Sequence, residues 1–171
     1  MSGETTIRRS TPDDAAKLLA HLQALVAEPG INIPLAPDEV TNTVEQERQR
    51  LEGFEDAPRA IILVAERDAE LLGELTLRGI SPRRAVMHVG TLGLSVRADA
   101  RGQGVGEALL EAALEWAPTA GISRVELYVY VRNEAARKLF AKHGFAEEGR
   151  RRNFIREGDA FLDDVVMAKL V

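Results

Sequence analysis

The feature that most constrains this chain is the run Leu94-Ser95-Val96-Arg97-Ala98-Asp99-Ala100-Arg101-Gly102-Gln103-Gly104-Val105-Gly106. An apolar, strand-like stretch enters a turn with three glycines at alternating positions, and a helical pattern follows at once. Leu109, Leu110, Ala113, Leu114 and Trp116 supply that helix's packing face. Backbone N–H groups at a helix start have no partner inside the helix and point outward along the positive end of its dipole. Glycine lets an anion reach those donors without meeting a Cβ, and Arg101 places a fixed charge beside them. The stretch reads as an anion site suited to a pyrophosphate; the plainer alternative is a turn that only starts a helix. Two familiar nucleotide loops fail on spacing. A Walker A loop needs Gly-Lys-Ser/Thr, but Gly106 is followed by Glu107-Ala108. A dinucleotide fingerprint wants its third glycine where Glu107 stands, after the first strand of a parallel unit.

Composition narrows the class. At 171 residues the chain suits one domain, predicted over residues 1–171. The absence of cysteine excludes disulfides, thiolate nucleophiles and cysteine metal sites. Three scattered histidines, His21, His88 and His143, argue against a zinc site, so no metal is expected. A net charge of −5 disfavours a general nucleic-acid binder. No apolar run is long enough to span a bilayer, and residues 1–10 carry no signal-peptide core, so no membrane partner and a cytoplasmic location are expected.

Along the chain, residues 5–9 read as a short strand. Thr11-Pro12-Asp13-Asp14 then opens a helix carrying Leu18, Leu19, Leu22, Leu25 and Val26. A second helix is predicted over residues 37–51, on the surface because its apolar positions are sparse. Strand-like runs follow at 60–66, 71–80 and 85–96, best joined as antiparallel hairpins. Gly90 and Gly93 in the third mark a bulge or a close approach to the backbone. A helix at 105–117, a strand at 125–131, a helix at 134–143 stopped by Gly144, and a closing hairpin of 145–155 with 160–170 complete the order. The class is α/β on a mixed sheet.

At this point two motifs resemble a known family, the GCN5-related N-acetyltransferase (GNAT) superfamily. Arg-x-x-Gly-x-Gly after a strand is met by Arg101, Gly104 and Gly106. Asn133-Glu134-Ala135-Ala136-Arg137-Lys138-Leu139-Phe140-Ala141-Lys142-His143-Gly144-Phe145 is similar to the family's Asn-x-x-Ala-x-x-Leu-Tyr-x-x-x-Gly-Phe. The element order fits as well, so the resemblance covers nearly the whole chain. It implies a GNAT-like, mostly antiparallel seven-stranded sheet with splayed fourth and fifth strands (85–96 and 125–131) and helices on both faces. It further implies acetyl-CoA in the resulting cleft as cosubstrate, and transfer of its acetyl group to a primary amine by direct attack in a ternary complex. Backbone groups of Leu94, Ser95 and Val96 would hold the pantetheine arm. Arg101, Gly102, Gln103, Gly104, Val105 and Gly106 would hold the pyrophosphate, with Asn133 and Phe140 also against the cosubstrate. Homodimers are common in the resembled family, and the hairpin strand 160–170 is expected to leave a sheet edge needing cover, so a homodimer is expected.

The match breaks where the family often has a tyrosine as general acid. That position is Phe140, and a phenyl ring donates no proton. A non-catalytic acyl-CoA-binding module is therefore the alternative from another class; a nucleotide-binding domain using the same loop is a second. The general base is unassigned. Some relatives carry a glutamate where Tyr128 stands; His88 has a suitable ordinary pKa but lies six residues before Leu94; Glu74, one strand over, would act through water. Glu126 reads as a solvated or paired residue. Tyr128 and Tyr130 share a strand face and either line an acceptor pocket or pack on the sheet. His21 reads as a helix-surface residue, His143 as a helix-end residue, Trp116 as packing.

Charge is uneven. Residues 38–56 are rich in acids, and residues 132–152 carry Arg132, Arg137, Lys138, Lys142, Arg150, Arg151 and Arg152. The basic run suits the phosphates of coenzyme A, and the acidic one would draw a cationic amine; each also reads as an ordinary solvated face. The expected acceptor is a small-molecule primary amine, with a protein or peptide amine as the alternative.

Overall fold

The strand Ala60–Arg67 is apolar on both parities, which is stable only where both faces of a sheet are covered. The computed structural model, which describes residues 3–171, has that arrangement. In chain order the elements are β1 (Thr6–Arg9), α1 (Ala15–Val26), α2 (Val44–Glu55), β2 (Ala60–Arg67), β3 (Glu70–Gly79), β4 (Val89–Val96), α3 (Val105–Trp116), β5 (Arg124–Tyr130), α4 (Glu134–Lys142), β6 (Ala146–Glu157) and β7 (Ala160–Leu170). The strands form one seven-stranded sheet in the order β1-β2-β3-β4-β5-β7-β6. Ile62 and Val64 of β2 pack with Leu18 of α1 and Leu51 of α2. Their neighbours Ile61, Leu63 and Ala65 pack on the other face with Leu109 and Ala113 of α3 and Phe140 of α4. The predicted mixed sheet with helices on both faces is present.

One irregularity organises the rest. All strand pairs are antiparallel except β4 and β5, which run parallel and pair only at Val89–Arg124, Gly90–Val125 and Thr91–Glu126. Beyond Thr91 each strand continues to pair on its outer side, β4 with β3 as far as Val96 and β5 with β7 as far as Tyr130. A wedge therefore opens between them, and the inner edge of each strand has no strand partner there.

The structure corrects four expectations. The helix predicted over 37–51 is instead a single 3-10 turn at Pro37–Glu39 followed by α2. Thr43 and Gln46 form a capping box: Thr43 Oγ1 accepts from the Gln46 N–H at 3.2 Å, and Gln46 Oε1 accepts from the Thr43 N–H at 2.8 Å. This fixes the helix start at Val44, and the buried Glu47 and Leu51 show that one face packs inward. The strand predicted over 85–96 begins only at Val89. Residues 84–88 form a turn closed by bonds from Val86 N to Arg83 O and from Val89 N to Val86 O, which takes His88 off the strand. The free edge expected on 160–170 lies on β6, because β7 is sandwiched between β5 and β6.

The fourth correction is His21. It is not a surface residue: it is 7% exposed, and its Nε2 shares a 2.9 Å hydrogen bond with Ser95 Oγ of β4. Burial lowers its pKa, opposed by Glu28 and reinforced by Arg97 and Arg101. The unfolded chain thus takes up the proton first. Stability should be complete above the ordinary histidine pKa of about 6.5 and fall as pH drops below it, no more steeply than about 1.4 kcal/mol per pH unit. Denaturant unfolding of wild type and His21→Gln between pH 7.5 and 5 tests this. The wild type should lose more stability than the variant, and parallel curves would remove the assignment.

Candidate active site

A cleft of about 510 Å³ occupies the wedge. One wall is the end of β4, from Leu92 to Leu94 with Val96; the other is Leu127, Tyr128 and Val129 of β5. The glycine turn and the start of α3 close one end, and α4 lies along the floor with Ala136, Leu139 and Phe140. Among the described residues, no N–H group from Gly102 to Glu107 donates to a protein acceptor; the first bond into α3 is Ala108 N to Gly104 O at 3.0 Å. A row of outward donors at a helix N-terminus is the arrangement that receives a phosphate. Gly102 and Gly104 make the turn possible by adopting φ of +73° and +82°.

Of the residues singled out as cosubstrate contacts, Leu94, Val96, Arg101, Gly102, Gly104, Val105, Gly106, Asn133 and Phe140 line this cleft. Ser95 and Gln103 do not line it. Strand alternation turns the Ser95 side chain to the opposite face, where it meets His21. Gln103 braces the turn: its Nε2 donates to Asp99 O at 2.7 Å and its Oε1 accepts from Arg67 at 3.1 Å. Asn133 caps α4, with Oδ1 accepting from the Ala136 N–H at 3.2 Å, so its amide NH₂ is the group left over. Phe140 is buried and packs edge-on to Phe145, with ring centroids 5.6 Å apart. Arg101 is less free than its sequence position implies, since its guanidinium donates to Val96 O at 3.0 Å and meets Glu28 at 2.7 Å.

The three catalytic candidates separate. His88 lies exposed on the turn before β4, at the end where β4 and β5 are still paired, and does not line the cleft. Glu74 on β3 does not line it either. It sits on the α1–α2 side near Arg50 and Glu47, and burial raises its pKa against the pull of Arg50. Tyr128 does line the cleft. Its side chain is 47% exposed, its hydroxyl donates to Glu126 Oε1 at 3.1 Å, and the Arg151 guanidinium covers its ring at 4.0 Å. Desolvation, together with the Glu126 carboxylate, raises its pKa above the ordinary phenol value. Sequence reasoning missed Asn32, which enters the cleft from the α1–α2 connection and is held by a 2.7 Å bond from Arg132 Nε to its Oδ1. No local pattern marks it, because only the tertiary fold brings that connection over β5. Elsewhere, Glu107, Glu111 and His143 bring potential ligand atoms within 4.8 Å of one another, with Lys142 already on Glu107 at 2.6 Å.

The fold and the cleft place the protein in a known class. The model of the acetyltransferase (GNAT) family matches residues 18–145, and the chain belongs to that family. It is similar to the L-amino acid N-acetyltransferase AaaT of Escherichia coli (strain K12), 30% identical over 120 residues, which is 70% of this chain and 74% of that protein. Among solved structures, a GNAT-family acetyltransferase of Streptococcus pneumoniae superposes with a TM-score of 0.91 at 32% identity, covering 98% of this chain and 99% of that one. A ribosomal-protein-alanine N-acetyltransferase of Brucella melitensis gives 0.86 at 27% identity, covering 97% and 99%.

The turn's backbone makes a prediction that needs no ligand. Gly104→Ala forces a Cβ into a left-handed conformation and should cost about 1 kcal/mol. In Gly106→Ala the new Cβ would meet Leu139 and Val96 at 3.5 Å, ordinary contacts, so the change should stay within about 0.5 kcal/mol. Urea unfolding of both variants checks this; equal losses would contradict the left-handed assignment at Gly104.

Proposed function

We propose that this protein transfers the acetyl group of acetyl-CoA to a primary amine of a small molecule. The observation that carries the reading is the wedge between β4 and β5 with the unpartnered N–H row at its end. The site fits an elongated thioester carrying phosphates: anion donors at one end, unpaired strand edges along the wall, and an apolar floor. Acetyl-CoA would supply an acetyl thioester open to attack by a neutral amine. The turn from Arg101 to Gly106 would hold the pyrophosphate. The inner edge of β4 from Leu92 to Val96 would hydrogen-bond the amides of the pantetheine arm, and the Asn133 NH₂ would donate to it. Leu139 and Phe140 would keep water from the reacting end.

Phe140 cannot return a proton to the departing thiolate, and Tyr128 is the side chain in the cleft suited to that task. Its raised pKa keeps the hydroxyl protonated throughout the neutral range, and Glu126 fixes its orientation. As the amine nitrogen bonds to the acetyl carbon and the C–S bond breaks, the Tyr128 hydroxyl would turn its proton from Glu126 to sulfur, while the proton shed by the nitrogen goes to solvent and solvent reprotonates the phenolate, leaving amide and free thiol. The small-molecule reading of the acceptor has two supports. AaaT is named for L-amino acids, and the acidic segment 38–56 would attract a protonated amine. The Brucella melitensis protein is named for a protein substrate, so the acceptor is the part to test first.

A screen reading free thiol with amino acids, polyamines, aminoglycosides and N-terminal peptides side by side decides it. Small amines should turn over. Peptides better by a hundredfold or more in kcat/KM, about 2.7 kcal/mol in transition-state binding, would overturn the small-molecule reading. Tight acetyl-CoA binding with no thiol released for any amine would favour a binding module instead. With the best acceptor found, Tyr128→Phe should lower kcat roughly 10²-fold and leave the acetyl-CoA Kd within about twofold. Unchanged kcat would take the acid role away from Tyr128.

A further inference from the structure

Arg151 of β6 reaches past β7 to a ring on β5. Its guanidinium carbon stands over the Tyr128 ring, 4.0 Å from the centroid, and over the Phe154 ring at 3.5 Å. Asp164 of β7 engages the same guanidinium with both oxygens: Nε donates to Oδ1 at 2.8 Å and Nη2 donates to Oδ2. Asp164 is only 3% exposed, so the anchor lies inside the protein while the cation it holds is partly exposed. A planar guanidinium can serve both roles at once, bonding a carboxylate along its edge and stacking on rings with its faces.

The hairpin is bent where this contact forms. Arg151 pairs with Asp164 and Ile155 pairs with Leu162, so Arg152, Asn153 and Phe154 stand against Asp163 alone. Asn153 takes a φ of +52°, and Asp163 Oδ1 accepts its N–H at 2.8 Å. The bulge brings Phe154 back over Arg151. At 58% exposed Phe154 adds little to the core, and what it covers is the cation.

Proton donation leaves Tyr128 as a phenolate, and the groups around the ring decide how readily that happens. Desolvation opposes it, as do Glu126 on the same strand and Asp164 on β7; Arg151 favours it. Arg124 reaches Glu126 at 3.4 Å and bears on the hydroxyl through that carboxylate. The acid that keeps its proton through the neutral range thus has a cation against its ring, where the anion will form.

We propose, resting on Tyr128 as the acid of the acetyl transfer, that Arg151 is a positioning residue for that step: anchored by Asp164 and covered by Phe154, it holds the Tyr128 ring in the cleft wall and sets its positive charge against the phenolate. The Tyr128 O–H bond breaks, the proton goes to the departing sulfur, and the charge left on the phenol faces the guanidinium until solvent restores the proton.

The test uses Arg151→Gln combined with Asp164→Asn, which replaces the ion pair by a neutral one and leaves no buried carboxylate unpaired. The chain has two tyrosines, so the phenolate absorbance of wild type less that of Tyr128→Phe titrates Tyr128 alone. The neutral pair, measured in the same way against its own Tyr128→Phe form, should raise the Tyr128 midpoint by about one pH unit. It should lower kcat about threefold to tenfold and keep the acetyl-CoA Kd within about twofold. Arg151→Lys, which keeps the charge and loses the planar stack, should fall between the two in both readings. In the Tyr128→Phe background the neutral pair should cost no further kcat, because Arg151 acts through Tyr128. An unmoved midpoint, or an equal kcat loss without Tyr128, would overturn the role of Arg151 and leave the acid reading intact. Tyr128→Phe with wild-type kcat would overturn the acid reading and the role of Arg151 with it. Failure of the wild type to bind acetyl-CoA would overturn the transfer itself.

Discussion

The parallel contact between β4 and β5 lasts three residues and then fails, and the rest of the molecule is arranged around that failure. A sheet that stops pairing inside a protein leaves amide and carbonyl groups that must find another partner, and a buried cleft would be costly without one. The outer strands make the wedge stable: β3 grips β4 to its end and β7 grips β5 to its end, so neither strand can relax toward the other. A 3-10 turn at Ala98–Ala100 and the glycine turn lead from β4 into α3, and α4 begins just beyond the end of β5. Both helices thus present their N-termini to the opening. The proposed site is what the fold leaves unpaired.

Features written in consecutive residues were legible in the sequence. The glycine turn, the helix after it and the Asn133–Phe145 run each declare themselves locally, through φ requirements, capping and apolar spacing, and the structure puts most of their residues around one cleft. Errors arose where a local pattern had two outcomes. Residues 85–88 could continue a strand or tighten into a turn, and the turn that follows Pro82 prevails, moving His88 away from the cleft. His21 lies on a helix whose apolar stripe is clear, but no periodicity says that a histidine on that stripe will meet a serine 74 residues later. The capping box at Thr43 and Gln46 was present in the sequence and outweighs the proline at 37 as the start of α2. Asn32 carries no local sign of its place in the cleft, and the Tyr130 face admitted two readings, because long-range packing decides what each side chain faces.

Charge is where composition misleads most. The basic run 132–152 looks like a surface awaiting phosphates, yet its cations are largely spent within the protein. Arg132 holds Glu157, Arg137 holds Glu147, Lys142 holds Glu107, Arg150 holds Asp163, and Arg151 holds the buried Asp164. Arg101, which opens the glycine turn, is itself taken by Glu28 of the α1–α2 connection. Apart from Arg151 on the buried Asp164, these pairs are partly exposed, so each adds little to stability; they tie loops and hairpins together.

In the proposed function, neutral donors would then be left to recognise the anion. Six consecutive backbone N–H groups at the start of α3 carry no formal charge, are set in place by Gly102 and Gly104, and cost nothing to reorganise when a phosphate arrives. Such a cradle selects by shape and distance more than by long-range attraction, which suits a chain whose net charge is −5 and which would otherwise repel a polyanion. The acidic balance would then work for the other substrate: it would favour the approach of a cationic amine while the phosphates are held at the glycine turn. On the proposed assignment one net charge serves two substrates of opposite sign because the anion would be bound by dipoles. Separation of the two ends by the wedge keeps those demands from competing.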